Sequence, residues 1–338
     1  MKVNRRTFLQ NSLQSTAGLL LAQAFLGSEL WGQNASLSNK IKISLQCYSF
    51  GPDLLTGNLD ILDFPRSVRE DFNLEGAEYW NIPMLAKRKN PQFLQEIQKR
   101  TADYGLENTL MLVDLINLKD PSKTLSLCDK DSANRALAVE AHKEWIDVAK
   151  TIGCSAIRVN LRSQKTTADE VAKVSEESLL KLLEYSSERN LSIVIENHGG
   201  YTSDAQWLVA LMQKINHPNL GTLPDFGTSN FCVEKTPTKE GAFFASECLT
   251  QYDKYQGVEE MLPYAKGISA KTRAFDAQGE ELETDFKRML DLIKAASFEG
   301  YLAIEYEGGM MNRFGGSGEY LPAKEGILAT KALIEKHL

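Results

Sequence analysis

Three carboxylates each fall in or at the end of a short apolar run: Glu196 in "LSIVIEN" (191–197), Asp225 in "LGTLPDF" (220–226) and Glu305 in "YLAIEYE" (301–307). A fourth run, "KGISAK" (266–271), carries Ser269 and Lys271 two residues apart, which puts both on one face of an extended strand. A single strand-end carboxylate more often caps a helix or meets solvent. Three that converge repel one another strongly unless a cation lies among them. Oxygen-rich ligation suits Mn²⁺ or Mg²⁺, with Zn²⁺ also within the range of such donors. The chemistry open to that centre is polarisation of a carbonyl and transfer of a proton on the neighbouring carbon. Glu196, Asp225 and Glu305 are therefore candidate metal ligands, and Glu196, Glu305 and Lys271 candidate catalytic groups. His198 in "IENHGG", Arg158 in "SAIRVN" (155–160), and Glu78 and Trp80 in "LEGAEYW" (74–80) are candidate substrate contacts. Tyr79, Trp80 and Phe226 are also placed to stack on a bound ligand, with core packing the alternative for each. Glu307, just past its strand and ahead of two glycines, reads as an outer or solvent-facing group. His142, His217 and His337 are given no role.

These residues need elements that bring run ends together. Beyond residue 40, β-rich runs alternate with segments of helical period, starting with "IKISLQCY" (41–48), "LEGAEYW" and "TLMLVDL" (109–115) and giving eight runs in all. Between them, "SANRALAVEAHKEWIDVAKTIG" (132–153) sets Ala136, Val139, Trp145, Ile146 and Ala149 near one face and ends at a C-capping Gly153. Helices are likewise expected over 168–190, 203–216 with Ser203 as N-cap, 283–298 and 321–338. Repeated strand–helix units with right-handed crossovers make a parallel sheet, and eight favour a closed α/β (β/α)8 TIM barrel whose chemistry sits at the carboxyl ends of the strands. An open doubly wound sheet is the alternative, weakened by the absence of GxGxxG after the first run. No low-complexity linker divides the chain, so residues 40–338 read as one domain.

The composition is ordinary for a soluble globular protein and argues against a nucleic-acid surface: 38 Lys+Arg stand against 45 Asp+Glu, a net charge of −7, with no basic stripe. Nucleic acid is therefore not an expected partner. Five cysteines without a CxxC spacing argue against a zinc–thiolate site and leave any disulfide pairing open. The first 39 residues are separate. "NRRTFLQ" precedes the apolar "TAGLLLAQAFLG", a charged region followed by a short hydrophobic one, which resembles a twin-arginine export signal. Residues 1–39 are expected to be a signal peptide and short linker, with the twin-arginine export machinery as a partner and the periplasm as destination. Such export of folded protein suits an enzyme that loads a metal or cofactor first.

"IENHGG", "PDFG", "ISAKTRAFD", "IEYEG" and "GCSAIRVN", in this order and spacing, resemble the xylose isomerase-like TIM-barrel superfamily in its sugar phosphate isomerase/epimerase branch, over most of residues 41–338. The resemblance implies one divalent metal cation held by carboxylates from the fifth, sixth and eighth strands, here Glu196, Asp225 and Glu305. Many members carry His-x-Lys on the seventh strand, and this chain has Ser269-Ala270-Lys271. Three protein ligands plus water, recruitment of His198, or a weak or empty site would each accommodate that change. Lys271 would face substrate oxygens.

The expected activity is a metal-dependent sugar isomerase or epimerase, in which one glutamate removes the α-proton and the other returns it. Export favours an unphosphorylated sugar or glycoside-derived substrate over a sugar phosphate. A lyase or hydrolase acting on keto-sugars or glycosides uses the same first step, and a metal-free sugar-binding barrel is the non-enzymatic alternative. The endonuclease IV-like branch ranks last, because its trinuclear zinc site needs more histidines than the four present.

Overall fold

A computed structural model describes residues 40–338 apart from 118–119, 121–122, 163–165, 237–245 and 317. The expected signal peptide and linker, residues 1–39, lie outside the described residues. Residues from Lys42 to the C-terminus form one compact unit.

Eight parallel strands make the barrel: β1 (Ile41–Gln46), β2 (Gly76–Trp80), β3 (Glu107–Leu112), β4 (Ala156–Val159), β5 (Ser192–Glu196), β6 (Leu220–Leu223), β9 (Ile268–Thr272) and β10 (Gly300–Tyr306). Their order is β6-β5-β4-β3-β2-β1-β10-β9. The seam between β6 and β9 closes through isolated parallel bridges, Thr222 with Ala265 and Asp225 with Ser269. Pro224 explains why this seam is sparse: it has no N–H to give, so its carbonyl alone takes part, accepting from Ser269 N at 2.8 Å. Phe226 N then donates to Ser269 O at 3.1 Å. All eight expected strands are present, each within a few residues of its run.

Helices cover the barrel. Ser132–Ile152 starts at Asp131, whose side chain accepts from Ala133 N, and ends at Gly153 with φ 89°, the left-handed turn that glycine adopts without cost. Val139, Trp145, Ile146 and Ala149 are buried as the periodicity requires, whereas Ala136 is exposed. Ala168–Ser187 opens with a capping box between Thr167 and Glu170. The next helix, Ala205–Ile215, corrects the expected cap. Asp204, not Ser203, accepts from Trp207 N. Ser203 instead donates its hydroxyl to Asn230 O at 2.5 Å, fastening two loops at the carboxyl end of the barrel. Phe286–Ala295 and Ala323–His337 complete the later set.

One feature lies outside the eight-unit pattern. After β6, Cys232–Lys235 (β7) and Cys248–Gln251 (β8) pair as an antiparallel ribbon. Cys232 and Cys248 are joined by a disulfide with S–S 2.02 Å. Cys47, Cys128 and Cys154 are free and buried.

Candidate active site

The centre forms where β5, β6, β9 and β10 end. Glu305 and Lys271 are register partners on adjacent strands, so their side chains leave the sheet side by side. Asp225 is brought beside Ser269 by the closing bridge, and Glu196 sits at the end of β5 opposite Leu223. Oxygens of Glu196, Asp225 and Glu305 lie within 4.8 Å of one another, and all three residues are buried. By themselves these carboxylates are compatible with a divalent cation.

Lys271 stands inside this set. Its Nζ is 3.0 Å from Asp225 Oδ2 and 3.1 Å from Glu305 Oε1. Burial works to strip its proton, but Asp225 and Glu305, with Glu307 and Glu196 behind them, more than compensate and hold it protonated. Ser269 Oγ donates to Glu305 Oε2 at 2.5 Å. Gly227 N donates to Asp225 Oδ1 at 2.6 Å, and the side chain of Asn197 brackets the Asp225 backbone at 2.8 and 3.0 Å.

Glu196 is surrounded differently. Arg158 Nε lies 2.8 Å from its Oε2, an ionic contact whose N–H is not aligned for a hydrogen bond. Asn230 Nδ2 donates to Oε1 at 3.2 Å, and His198 Nδ1 is also 3.2 Å from that oxygen. Burial alone would raise the Glu196 carboxyl, but His198 and Arg158 overcome it and keep the group well below the usual range. Glu305 goes the other way, because burial and the charges of Asp225 and Glu196 outweigh Lys271 and raise it. One cluster thus contains a carboxylate held ionised and a carboxyl inclined to keep its proton, an arrangement suited to paired base and acid.

Arg158 is oriented by Asp114, just past β3, a residue the sequence reading passed over. Asp114 Oδ1 is 3.0 Å from Arg158 NH1 and accepts from Asn160 Nδ2 at 2.8 Å. Its Oδ2 accepts from Trp80 Nε1 at 3.0 Å. Its backbone is clamped by Asn81, which accepts from Asp114 N at 2.9 Å and donates to Asp114 O at 3.0 Å. Arg158 is thus committed to protein carboxylates. Trp80 is turned to Asp114 and packs edge-on against Tyr48, with centroids 5.1 Å apart. The signal that could have found Asp114 is the one that found the others, a carboxylate where an apolar run stops.

The remaining candidates divide. Glu78 is inside the barrel, accepting from Ser44 Oγ at 2.8 Å and Thr109 Oγ1 at 3.2 Å, and burial pushes its carboxyl up to about 7. Tyr79 and Phe226 are fully buried, against Phe64 and Phe286 respectively, so both are core residues and not sugar platforms. Glu307, read as an outer or solvent-facing group, is 6% exposed and bound by Arg273, with NH2 2.7 Å from its Oε2, so it is an outer group and not a solvent-facing one. Burial opposes its ionisation, but Lys271 and Arg273 bring it down to about 2. Arg273 and Asn230 lie near the centre through loops, where no strand periodicity marks them.

The sequence matches the model of the xylose isomerase-like TIM barrel family over residues 70–333. Among curated proteins none matches. Solved structures share the fold at low identity. D-psicose 3-epimerase in the presence of D-fructose superposes with TM-score 0.63 at 13% identity, covering 88% of this chain and 99% of that one. The 3-keto-D-glucoside 4-epimerase from E. coli, in apo form, gives 0.60 at 11% identity, covering 88% and 99%. The IolI protein with a bound zinc atom gives 0.61 at 13% identity, covering 88% and 99%.

Proposed function

Because the chain belongs to the xylose isomerase-like TIM barrel family, we propose that it is a sugar epimerase or isomerase that moves a proton on the carbon next to a carbonyl. The observation that carries this reading is the pairing of Glu196 and Glu305, buried in one cluster around a cation yet set in opposite protonation environments. Glu196, ionised, takes the α-proton, and the electron pair moves onto the carbonyl oxygen to give an enediolate. Positive charge at the centre stabilises that oxygen as it becomes anionic. Glu305 gives its proton back to carbon. If the carbon is protonated on the opposite face the centre is inverted; if the former carbonyl carbon is protonated instead, and the α-carbon's hydroxyl proton passes to the old carbonyl oxygen, the carbonyl migrates. His198 and Asn230, both on Glu196, keep its lone pairs directed, and His198 borders the entry as a substrate contact.

The substrate is read as an unphosphorylated ketose or 3-keto glycoside. The names of the fold relatives support this: D-psicose and a 3-keto-D-glucoside are not sugar phosphates. The Cys232–Cys248 disulfide supports an oxidising compartment, in keeping with the export signal read in residues 1–39. The test is solvent-deuterium exchange. Candidate keto-sugars are incubated with enzyme in D₂O and the recovered sugar is examined by NMR. Wild type should label one carbon adjacent to the carbonyl, and Glu305→Gln should label it about 10²–10⁴-fold more slowly. Absence of label in every keto-sugar tried, or a glycoside cleaved without label, would refute proton transfer as the reaction.

A further inference from the structure

We infer that the ε-ammonium of Lys271 is the resident cation of the three-carboxylate centre, standing where a divalent ion would otherwise be needed, and that it is the group that polarises the substrate carbonyl. This deepens the proposed reaction and rests on it for the second half only.

The argument starts with the oxygens. Each of the six carboxylate oxygens has a donor or cation of the chain beside it, although Asp225 Oδ2 and Glu196 Oε2 are met by ionic contact without a hydrogen bond. Asp225 Oδ1 has Gly227 N, and Asp225 Oδ2 has Lys271 at 3.0 Å. Glu305 Oε1 has Lys271 at 3.1 Å, and Glu305 Oε2 has the Ser269 hydroxyl. Glu196 Oε1 has Asn230 and His198, and Glu196 Oε2 has Arg158 at 2.8 Å. A divalent ion bonded to these carboxylates would need oxygens at about 2.0–2.6 Å, some of them the oxygens that now flank the ammonium. Two cations cannot share those oxygens without strong repulsion in a buried site. The strand between Asp225 and Glu305 adds no ligand to offset that, since β9 offers a hydroxyl and an ammonium there.

The fold also makes room for this lysine. The Lys271 side chain is 2% exposed, and its stem runs against Gly227. A Cβ at Gly227 would fall 2.7 Å from Lys271 Cδ and 3.0 Å from Asp225 Oδ1, so a side chain there would press on both partners of the ion pair. The "PDFG" glycine thus has a physical role: it leaves the channel through which Lys271 reaches the carboxylates. An ammonium has three N–H donors. Its contacts with Asp225 and Glu305 are ionic, which leaves an N–H for a substrate oxygen. Through the reaction the ammonium keeps its proton, so the α-proton travels only between carbon and the glutamates.

Metal content and metal binding test this on the intact protein. Wild type purified without chelator, and analysed by inductively coupled plasma mass spectrometry, should hold no stoichiometric Mn, Mg, Zn, Fe or Co. Addition of Mn²⁺ should produce no calorimetric binding heat and no rise in Tm. Lys271→Met, which keeps the length and removes the charge, should acquire Mn²⁺ binding and a Tm that rises with Mn²⁺ concentration. Solvent exchange in that variant without metal should fall about 10²–10³-fold, the loss typical of one oxyanion donor. One tightly bound divalent ion per wild-type chain, or a Mn²⁺-dependent rise in its Tm, would overturn the inference even if the variant does not fold. The two readings fail separately. Metal-bound wild type that labels sugar sinks the lysine and leaves the epimerase, whereas metal-free wild type that labels no sugar does the reverse.

Discussion

Asp114 shows how the energetics of single residues arrange this centre. Arg158 is 4% exposed, and a guanidinium so deeply placed is tolerable only with full compensation. Glu196 and Asp114 share that task, and the Asp114 carboxyl is pulled far down because the charges of Arg158, then Arg162 and His198, outweigh its burial. Asp114→Asn removes one of the two counter-charges while leaving the shape. We expect it to lower the free energy of unfolding by about 3–5 kcal/mol, measured by urea denaturation at pH 7, because a buried charge is left partly unpaired. A loss below about 1 kcal/mol would show that Glu196 alone satisfies the arginine. The carboxylates of the cluster could be read in the sequence because each falls in or at the end of an apolar run of β character. Asp114 obeys the same rule. Its role shows only in the fold, because its partners Trp80, Asn81 and Arg158 come from two other strands or their ends. Lys271 was visible as a residue but its placement was not: that it enters the carboxylate set depends on the β6–β9 seam and on the space left by Gly227.

At the scale of elements, the β7–β8 ribbon is the addition to the barrel that bears most directly on the site. It follows the turn Thr228–Phe231, which supplies Asn230 to Glu196 and Ser229 to Arg273. The disulfide closes a separation of 16 residues, and fixing a loop of that size is worth about 3 kcal/mol through the unfolded chain. Ellman titration checks the pairing directly. The native protein should show no fast-reacting thiol, denatured unreduced protein three, and reduced denatured protein five. Replacing both Cys232 and Cys248 by Ser should lower the urea midpoint by the equivalent of about 3 kcal/mol and leave the barrel's circular dichroism unchanged. Five thiols in unreduced denaturant would rule the bond out. Barrel strands were readable because burial on both faces makes them near-continuous apolar runs. The ribbon was not, because β8 is exposed and its "CLTQ" carries no alternation that a core would impose. Helix ends were set by caps that compete locally, as Asp204 did with Ser203.

The molecule as a whole carries one buried histidine outside the centre, and its consequence is a property of global stability. His142 lies in the Ser132–Ile152 helix, 3% exposed, with Nδ1 2.8 Å from Ala138 O. Burial lowers it from 6.5 to about 4 against the Ala138 bond, with a lesser push from the charge of Arg158 and a lesser opposition from Asp114. Below pH 6.5 the unfolded chain therefore binds a proton that the folded chain refuses. Stability from this residue is complete above about 6.5 and is lost as pH falls toward 4, amounting in full to roughly 3 kcal/mol. Glu78 acts with the opposite sign. Its carboxyl is raised to about 7 by burial, so folding gains as pH falls through the range between there and 4.5. The two partly cancel in the wild-type curve, and a bare pH profile would show neither. The informative quantity is the difference between wild type and His142→Leu, each unfolded in urea at pH 7 and pH 5. We expect the variant to lose about 2 kcal/mol less than wild type over that interval, because only the histidine term is removed. Equal losses would mean that His142 binds its proton as well in the folded chain as in the unfolded one, and would refute the lowering.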